Sequence, residues 1–261
     1  MSAVTPMLKI QQAVFISDLH LTEALPKTTA AFFTFINWVE KQHIPALFIL
    51  GDLFEYWAGD DDLDAPYHQS ICLALKQLST TGTALYLMRG NRDVLFGEAF
   101  AQACGATLLD DPTLIQLGTE TVLLAHGDAY CTDDVSYQAF RQQVRNPAWQ
   151  VQFLQMPLAQ RKHIIANIRS ESEQAKQGKS MAIMDVNPQA IAEAMQTNAV
   201  QTLIHGHTHR PARHTLEVNQ QTAQQAAQRL VIPDWELDSD HPHAGYLAYA
   251  DQQYHLHLQL P

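Results

Sequence analysis

Residues 46–62 read "ALFILGDLFEYWAGDDD". Five consecutive apolar residues closed by Gly51-Asp52 fit a strand buried on both faces, since no polar residue interrupts them at helical spacing. The same pattern recurs on either side. "AVFI" at 13–16 leads into "SDLHL", "ALYLM" at 84–88 into "RGNRD", "TVLLA" at 121–125 into "HGD", and "QTLI" at 201–204 into "HGHTHRP". Amphipathic stretches at 28–42 and 66–80 suit helices that cover a sheet. The expectation is an α/β fold whose polar clusters meet at the carboxyl edge of the strands, where open sheets bind their ligands.

Composition narrows the function. A chain of 261 residues, 46% hydrophobic, can bury a sizeable core, and leaves one large α/β domain or two small ones equally open. The net charge of −11 argues against broad nucleic-acid binding. Three cysteines, Cys72, Cys104 and Cys131, form no CxxC pair and give no disulfide framework, so a reducing cytoplasm is expected. No run approaches eighteen apolar residues, and the start of the chain lacks the pattern of a secretion signal.

Residues 131–187 differ from their surroundings. They show no strand-like alternation, predict two or three helices broken at Pro147 and Pro157, and carry seven basic residues: Arg141, Arg145, Arg161, Lys162, Arg169, Lys176 and Lys179. A net positive segment in an acidic chain is expected to be a cap inserted over the strand ends, between core segments 1–130 and 188–261.

Collected, the strand ends offer Asp18, His20, Asp52, Asn91, His126, His207 and His209. Mixed oxygen and imidazole donors suit manganese, iron(II) or zinc rather than calcium. Seven groups exceed one tetrahedral ion and suit two ions that share a carboxylate. Asp52, on a strand expected near the sheet centre, is the candidate bridge. A lone "HG" or "GD" is ordinarily a turn; five such clusters, each closing a predicted strand, favour metal.

These residues resemble the calcineurin-like metallophosphoesterases, whose pattern of D-x-H, G-D, G-N-[HR]-[DE], H and G-H-x-H appears here as Asp18-Leu19-His20, Gly51-Asp52, Gly90-Asn91-Arg92-Asp93, His126 and Gly206-His207-Thr208-His209. The resemblance implies a four-layer αββα sandwich of the metallophosphoesterase type with a helical cap insertion. It also implies two ions, one on Asp18, His20, Asp52 and His209, the other on Asp52, Asn91, His126 and His207.

Arg92 stands where many members of that family have a histidine that protonates the leaving group. An alkoxide needs such a proton; a phosphomonoester leaving from a pyrophosphate, whose second pKa is about 6, does not. Arginine cannot donate a proton near neutrality, but its planar fork can hold phosphate oxygens and spread developing charge. Arg92 therefore points to pyrophosphate cleavage, against the plainer reading of an ion pair with Asp93, Asp52 or another acid of the rim.

The longer words "GDLFEYWAGDDD", "GNRDVLFG", "HGDAYCTDDVSYQAFR", "SMAIMDVN" and "LIHGHTHRP" resemble a narrower branch of the family, which hydrolyses the lipid-linked UDP-sugar UDP-2,3-diacylglucosamine in lipid A biosynthesis. That resemblance implies water attack on the α-phosphorus, Mn2+ as the usual ion, and a cytoplasmic enzyme peripheral to the anionic inner-membrane surface, with no nucleic-acid partner. It carries over Asn91, Arg92 and Asp52 as catalytic residues, and Asn91, Arg92, Asp134, Ser172, Lys176, Lys179 and His207 as substrate contacts. The sequence departs from that branch at Lys176, where Asn is frequent, and at Pro233, where Gly is usual. The alternatives are a soluble nucleotide pyrophosphatase or phosphodiesterase, which needs no apolar cleft, and a non-catalytic scaffold, which the full ligand set disfavours.

Other features read plainly. His255 and His257 alternate with leucines as the solvated face of a strand, His205 is structural or supports a ligand, and residues 60–64, "DDDLD", are a helix cap and solvated loop. The apolar stretch from Trp149 to Leu158 either packs on the body or opens as an acyl-chain cleft, with Arg161, Lys162 and His163 at headgroup level.

Overall fold

The computed structural model describes residues 7–176, 183, 185–216 and 227–261, with the backbone alone for 173–176. Two six-stranded sheets face each other. In one the order is β12 (Gln253–His257), β11 (Tyr246–Ala250), β2 (Ala13–Ile16), β3 (Ala46–Leu50), β4 (Ala84–Met88) and β5 (Ala106–Leu109). The other runs β1 (Leu8–Ile10), β6 (Thr113–Leu117), β7 (Glu120–Leu124), β8 (Thr202–His205), β10 (Ala227–Val231) and β9 (Ala212–Leu216). All five strands expected from the apolar runs are present, within one residue at each end.

Strand alternation explains the layers. On β3, Ala46, Phe48 and Leu50 point between the sheets and meet Phe15, Ile115, Val122, Leu124, Ile204 and Leu230. Phe48 stacks between Phe15 at 4.9 Å and Tyr86 at 4.5 Å. Leu47 and Ile49 point the other way, under α1 (Pro26–Lys41), α2 (Pro66–Thr80) and α3 (Glu98–Cys104). On the far side, Ile191 and Met195 of α7 (Pro188–Thr197) pack on Leu123 and Leu203. The expected helix–sheet–sheet–helix sandwich is thus present. Each fully buried aliphatic or aromatic side chain contributes roughly 1.5–3 kcal/mol of transfer free energy.

Residues 131–176 form α4 (Val135–Val144), α5 (Pro147–Leu154) and α6 (Leu158–Lys176). Pro147 opens α5 at a position where a missing N–H costs nothing, behind the Asn146 side chain, which accepts from Ala148 N at 2.9 Å. Asp134 caps α4 by accepting from Tyr137 N at 3.1 Å. Pro157 precedes α6 directly.

Candidate metal centre and substrate cavity

The ends of β2, β3, β4, β7 and β8 converge, and their backbones are bent to aim the side chains. Asp18, His20, Asp52, His207 and His209 all have positive φ, between 50° and 66°. Non-glycine residues seldom adopt that conformation, which costs on the order of 1–3 kcal/mol each and is retained where a site over-determines it. Leu19 and His20 donate their N–H groups to Asp52 O at 2.9 and 3.0 Å, tying the first turn to the second. Two motif glycines permit the approach of these turns. A Cβ on Gly90 would lie 2.1 Å from Asp52 Oδ1, and one on Gly206 would lie 2.2 Å from Asp18 Oδ2.

The donors form two groups that meet. Ligand atoms of Asp18, His20 and His209 lie within 4.8 Å of one another, as do those of Asp18, Asp52 and His126. Asp52 faces both ways: Oδ2 is 3.9 Å from His20 Nε2, and Oδ1 is 3.7 Å from His126 Nε2. Asn91 Oδ1 lies 3.0 Å from His126 Nε2. The His207 ring is 5.0 Å from that of His126, and its backbone N–H donates to Asp18 Oδ2 at 2.7 Å. All seven sequence-predicted donors are therefore gathered at one edge.

Two observations fit this set to divalent cations. Asp18 Oδ1 and His20 Nε2 are buried with no hydrogen-bond partner among the described residues, a costly arrangement that a cation would satisfy. The local field is also strongly negative. Burial disfavours charge on His126, yet Asp52, Asp18, Asp128 and Asp111 push its pKa up to about 9. Likewise burial opposes charge on His209, while Asp18 and Asp234 raise it to about 10. A field that attracts protons to these imidazoles attracts a divalent cation in their place. His207 is held neutral instead, its pKa lowered to about 3 by burial and by His126.

Arg92 sits at the rim of this centre. Its backbone N–H donates to Asp52 Oδ1 at 2.8 Å, and its Nη1 is 3.8 Å from Glu55 Oε1. The buried Nε has no hydrogen-bond partner among the described residues. The ion pair with a rim acid is therefore present but loose, and its partner is Glu55 rather than Asp93 or Asp52. Asp93 accepts from Leu53 N and Gly90 N, both at 2.7 Å, and so holds the β3 and β4 turns together; burial and neighbouring Asp52 raise its pKa to about 7.

Beside the centre opens a cavity of about 750 Å3. Asn91, Arg92, Asp134, Ser172, His207 and His209 line its polar parts, while Val94, Leu95, Phe140, Trp149, Phe153 and Ile168 line the apolar part. Of the remaining expected substrate contacts, Lys179 lies outside the described residues and Lys176 is described in its backbone only.

The structure revises the reading of the basic helices. Arg161, 1% exposed, donates to Met156 O at 2.9 Å and also bonds Ala58 O and Asp61. Lys162 pairs with buried Asp62 at 2.5 Å. Neither stands at a headgroup level, and "DDDLD" is not simply a solvated loop: it is the dock for α6. Asp60 also caps α3, accepting from Gly97 N at 2.9 Å and Phe100 N at 3.0 Å. Arg141 and Arg145 reach Asp128 at 2.9 and 3.4 Å, and Arg169 pairs with Glu55. The apolar stretch divides: Phe153 is buried and lines the cavity, whereas Val151 and Leu154 are 58% and 41% exposed.

Sequence reasoning missed Glu55 and Asp234. Glu55 Oε2 lies 2.8 Å from His20 Nδ1, and Asp234 Oδ2 lies 3.0 Å from His209 Nδ1. The signal for Asp234 was the divergent loop after Pro233, whose Trp235 is buried and donates its backbone N–H to Asp18 O at 3.0 Å. His205, as expected, is structural, buried with Nδ1 2.8 Å from Gly206 O. His255 and His257 lie on the exposed side of β12.

The chain is 51% identical over 227 residues to the UDP-2,3-diacylglucosamine hydrolase of Aromatoleum aromaticum, covering 87% of this chain and 90% of that relative. It is 48% identical over 223 residues to the enzyme of the same name from Pseudomonas entomophila, covering 85% and 90%. Among solved structures it is similar to a dimetal phosphatase from Danio rerio, with a TM-score of 0.49, 10% identity and 96% of each chain covered. The calcineurin-like phosphoesterase family model matches residues 12–211, which span every ligand-bearing strand end. The chain belongs to the calcineurin-like phosphoesterase family and is a metal-dependent hydrolase.

Proposed function

We propose that the protein hydrolyses the pyrophosphate bond of UDP-2,3-diacylglucosamine, by water attack on the α-phosphorus, to UMP and 2,3-diacylglucosamine 1-phosphate in lipid A biosynthesis. The observation that carries this reading is continuity: one cavity runs from the donor cluster to an apolar wall of Val94, Leu95, Phe140, Trp149 and Phe153. A soluble nucleotide needs no such wall, whereas each acyl methylene buried there contributes roughly 0.8 kcal/mol. The curated relatives of the same name support the substrate.

Two Mn2+ ions are the proposed cofactors, with Asp18, His20, Asp52 and His209 on one and Asp52, Asn91, His126 and His207 on the other. When bound, such ions polarise phosphoryl oxygens and acidify water. The chain's own residues do the rest. Asn91 and His207 face the cavity beside the donors and orient the phosphate. Arg92 presents its guanidinium to the phosphoryl oxygens and stabilises charge as it develops, with no proton to deliver. Asp134 and Ser172, on the cavity wall, contact the sugar headgroup together with Lys176 and Lys179. Residues 131–187 act as a cap between core segments 1–130 and 188–261. The site of action is the cytoplasmic face of the inner membrane, with the exposed Val151 and Leu154 toward the lipid. Among the described residues no helix is long and apolar enough to cross a membrane.

The test is to supply Mn2+ and compare UDP-2,3-diacylglucosamine with UDP-N-acetylglucosamine. UMP is expected from the first alone; equal rates on both would remove the lipid from the reading.

A further inference from the structure

Three imidazoles of the donor cluster, those of His20, His209 and His126, are not supported alike. His20 Nδ1 is 2.8 Å from the Glu55 carboxylate, with Nε2 turned toward Asp52 at 3.9 Å. His209 Nδ1 is 3.0 Å from the Asp234 carboxylate, with Nε2 toward Asp18 at 3.6 Å. His126 Nδ1 instead meets a neutral group, the Leu50 carbonyl, at 2.9 Å. On that side of the cluster Asp111 accepts from the His126 backbone N–H at 3.1 Å, and Asp128 is covered by Arg141, Arg145 and the Tyr137 hydroxyl at 2.7 Å.

We infer that Glu55 and Asp234 are positioning residues that make the two cation positions unequal: Asp18, His20 and His209 hold their ion first and tightly, and Asn91, His126 and His207 hold a weaker, exchangeable one. This rests on the ligand assignment proposed above. A carboxylate close to Nδ1 favours a proton there, which leaves Nε2 free to ligate, and raises the ring's basicity more than a carbonyl does. It also adds negative charge behind the first position, whereas the two carboxylates behind the second, Asp111 and Asp128, are both paired with the Arg141 and Arg145 guanidinium groups. Asp234 is the stronger lever. It is 5% exposed and its other partner is His243 at 3.1 Å, while Glu55 shares its charge with Arg92 and Arg169.

Calorimetric titration of the metal-free full chain with Mn2+ tests this without turnover. Two classes of site are expected, at least about tenfold apart in Kd. Asp234→Asn should weaken the tight class by about 10- to 100-fold and Glu55→Gln by less, each leaving the weak class within about threefold. The two residues lie on different segments, so a folding defect in one variant leaves the other informative. A single class in the native chain, or equal losses in both classes, would overturn the inference while leaving the ligand set intact. No Mn2+ binding at all would overturn the ligand set and the inference with it.

Discussion

At the strand ends, each donor's place is fixed by the backbone that carries it. Asp18, His20, Asp52, His207 and His209 are aimed by left-handed turns at the ends of β2, β3 and β8, over the apolar core between the sheets. In α4 to α6, placement depends on partners on other elements: Arg161 finds Asp61, Lys162 finds Asp62, Arg141 finds Asp128 and Arg169 finds Glu55. The same residue type thus means different things in the two regions. The five donors at the strand ends turn toward one centre, while these four arginines and lysines on the helices are first of all fasteners. The positive charge of residues 131–187 therefore does not measure a field offered to substrate. Much of it neutralises the acidic body on which those helices sit.

The largest expected effect breaks the strand-end region at its centre. Asp52→Ala removes a carboxylate whose two oxygens face His20 and His126, and should abolish turnover and release both ions. His209→Ala should keep partial occupancy of the second position. Metal analysis of the two purified variants compares them directly, and equal stoichiometry would count against a shared carboxylate.

Next comes Arg92, where the regions meet through Glu55. Arg92→Ala should cost about 2–4 kcal/mol of transition-state stabilisation, by analogy with removing an oxyanion donor. Arg92→Lys should recover little, because an ammonium lacks the two-pronged grip. Steady-state kcat/KM on the pyrophosphate substrate gives both values; native rates from Arg92→Ala would make it a structural residue.

A third variant separates fastening from catalysis. Arg161→Ala leaves the Ala58 and Met156 carbonyls without their donor and should lower stability by about 2 kcal/mol. Denaturant melts measure this. At temperatures where the variant stays folded, kcat on a small phosphodiester should be close to native, since Arg161 lies behind the cavity and not in its lining.

This division explains what could be read from the sequence. Apolar runs with period-two packing and short polar words gave the strands and seven donors, because each depends on a few adjacent residues, while the sandwich followed from the resemblance to the family. Asp234 and Glu55 escaped: each was one acid among many, and only the folded chain sets it beside His209 or His20. The ion pairs of α6 escaped for the same reason, separated as they are by about 100 residues. Asp62 looked solvated in "DDDLD" because nothing adjacent to it announces Lys162.

The smallest effect lies within the apolar stretch itself, where two neighbouring side chains face opposite ways. Phe153 is 3% exposed, stacks on Trp149 at 4.7 Å and lines the cavity, whereas Leu154 is 41% exposed. Phe153→Ser should raise KM for the diacylated substrate several-fold and leave hydrolysis of bis(p-nitrophenyl) phosphate nearly native in the folded fraction. Leu154→Ser should change neither value in detergent solution, and weaken only association with vesicles, since a single exposed leucine contributes on the order of 1 kcal/mol at a membrane surface. Equal losses on both substrates from Phe153→Ser would show that the cavity wall is core packing alone. A KM unchanged as the acyl chains shorten would separate the apolar wall from substrate binding altogether.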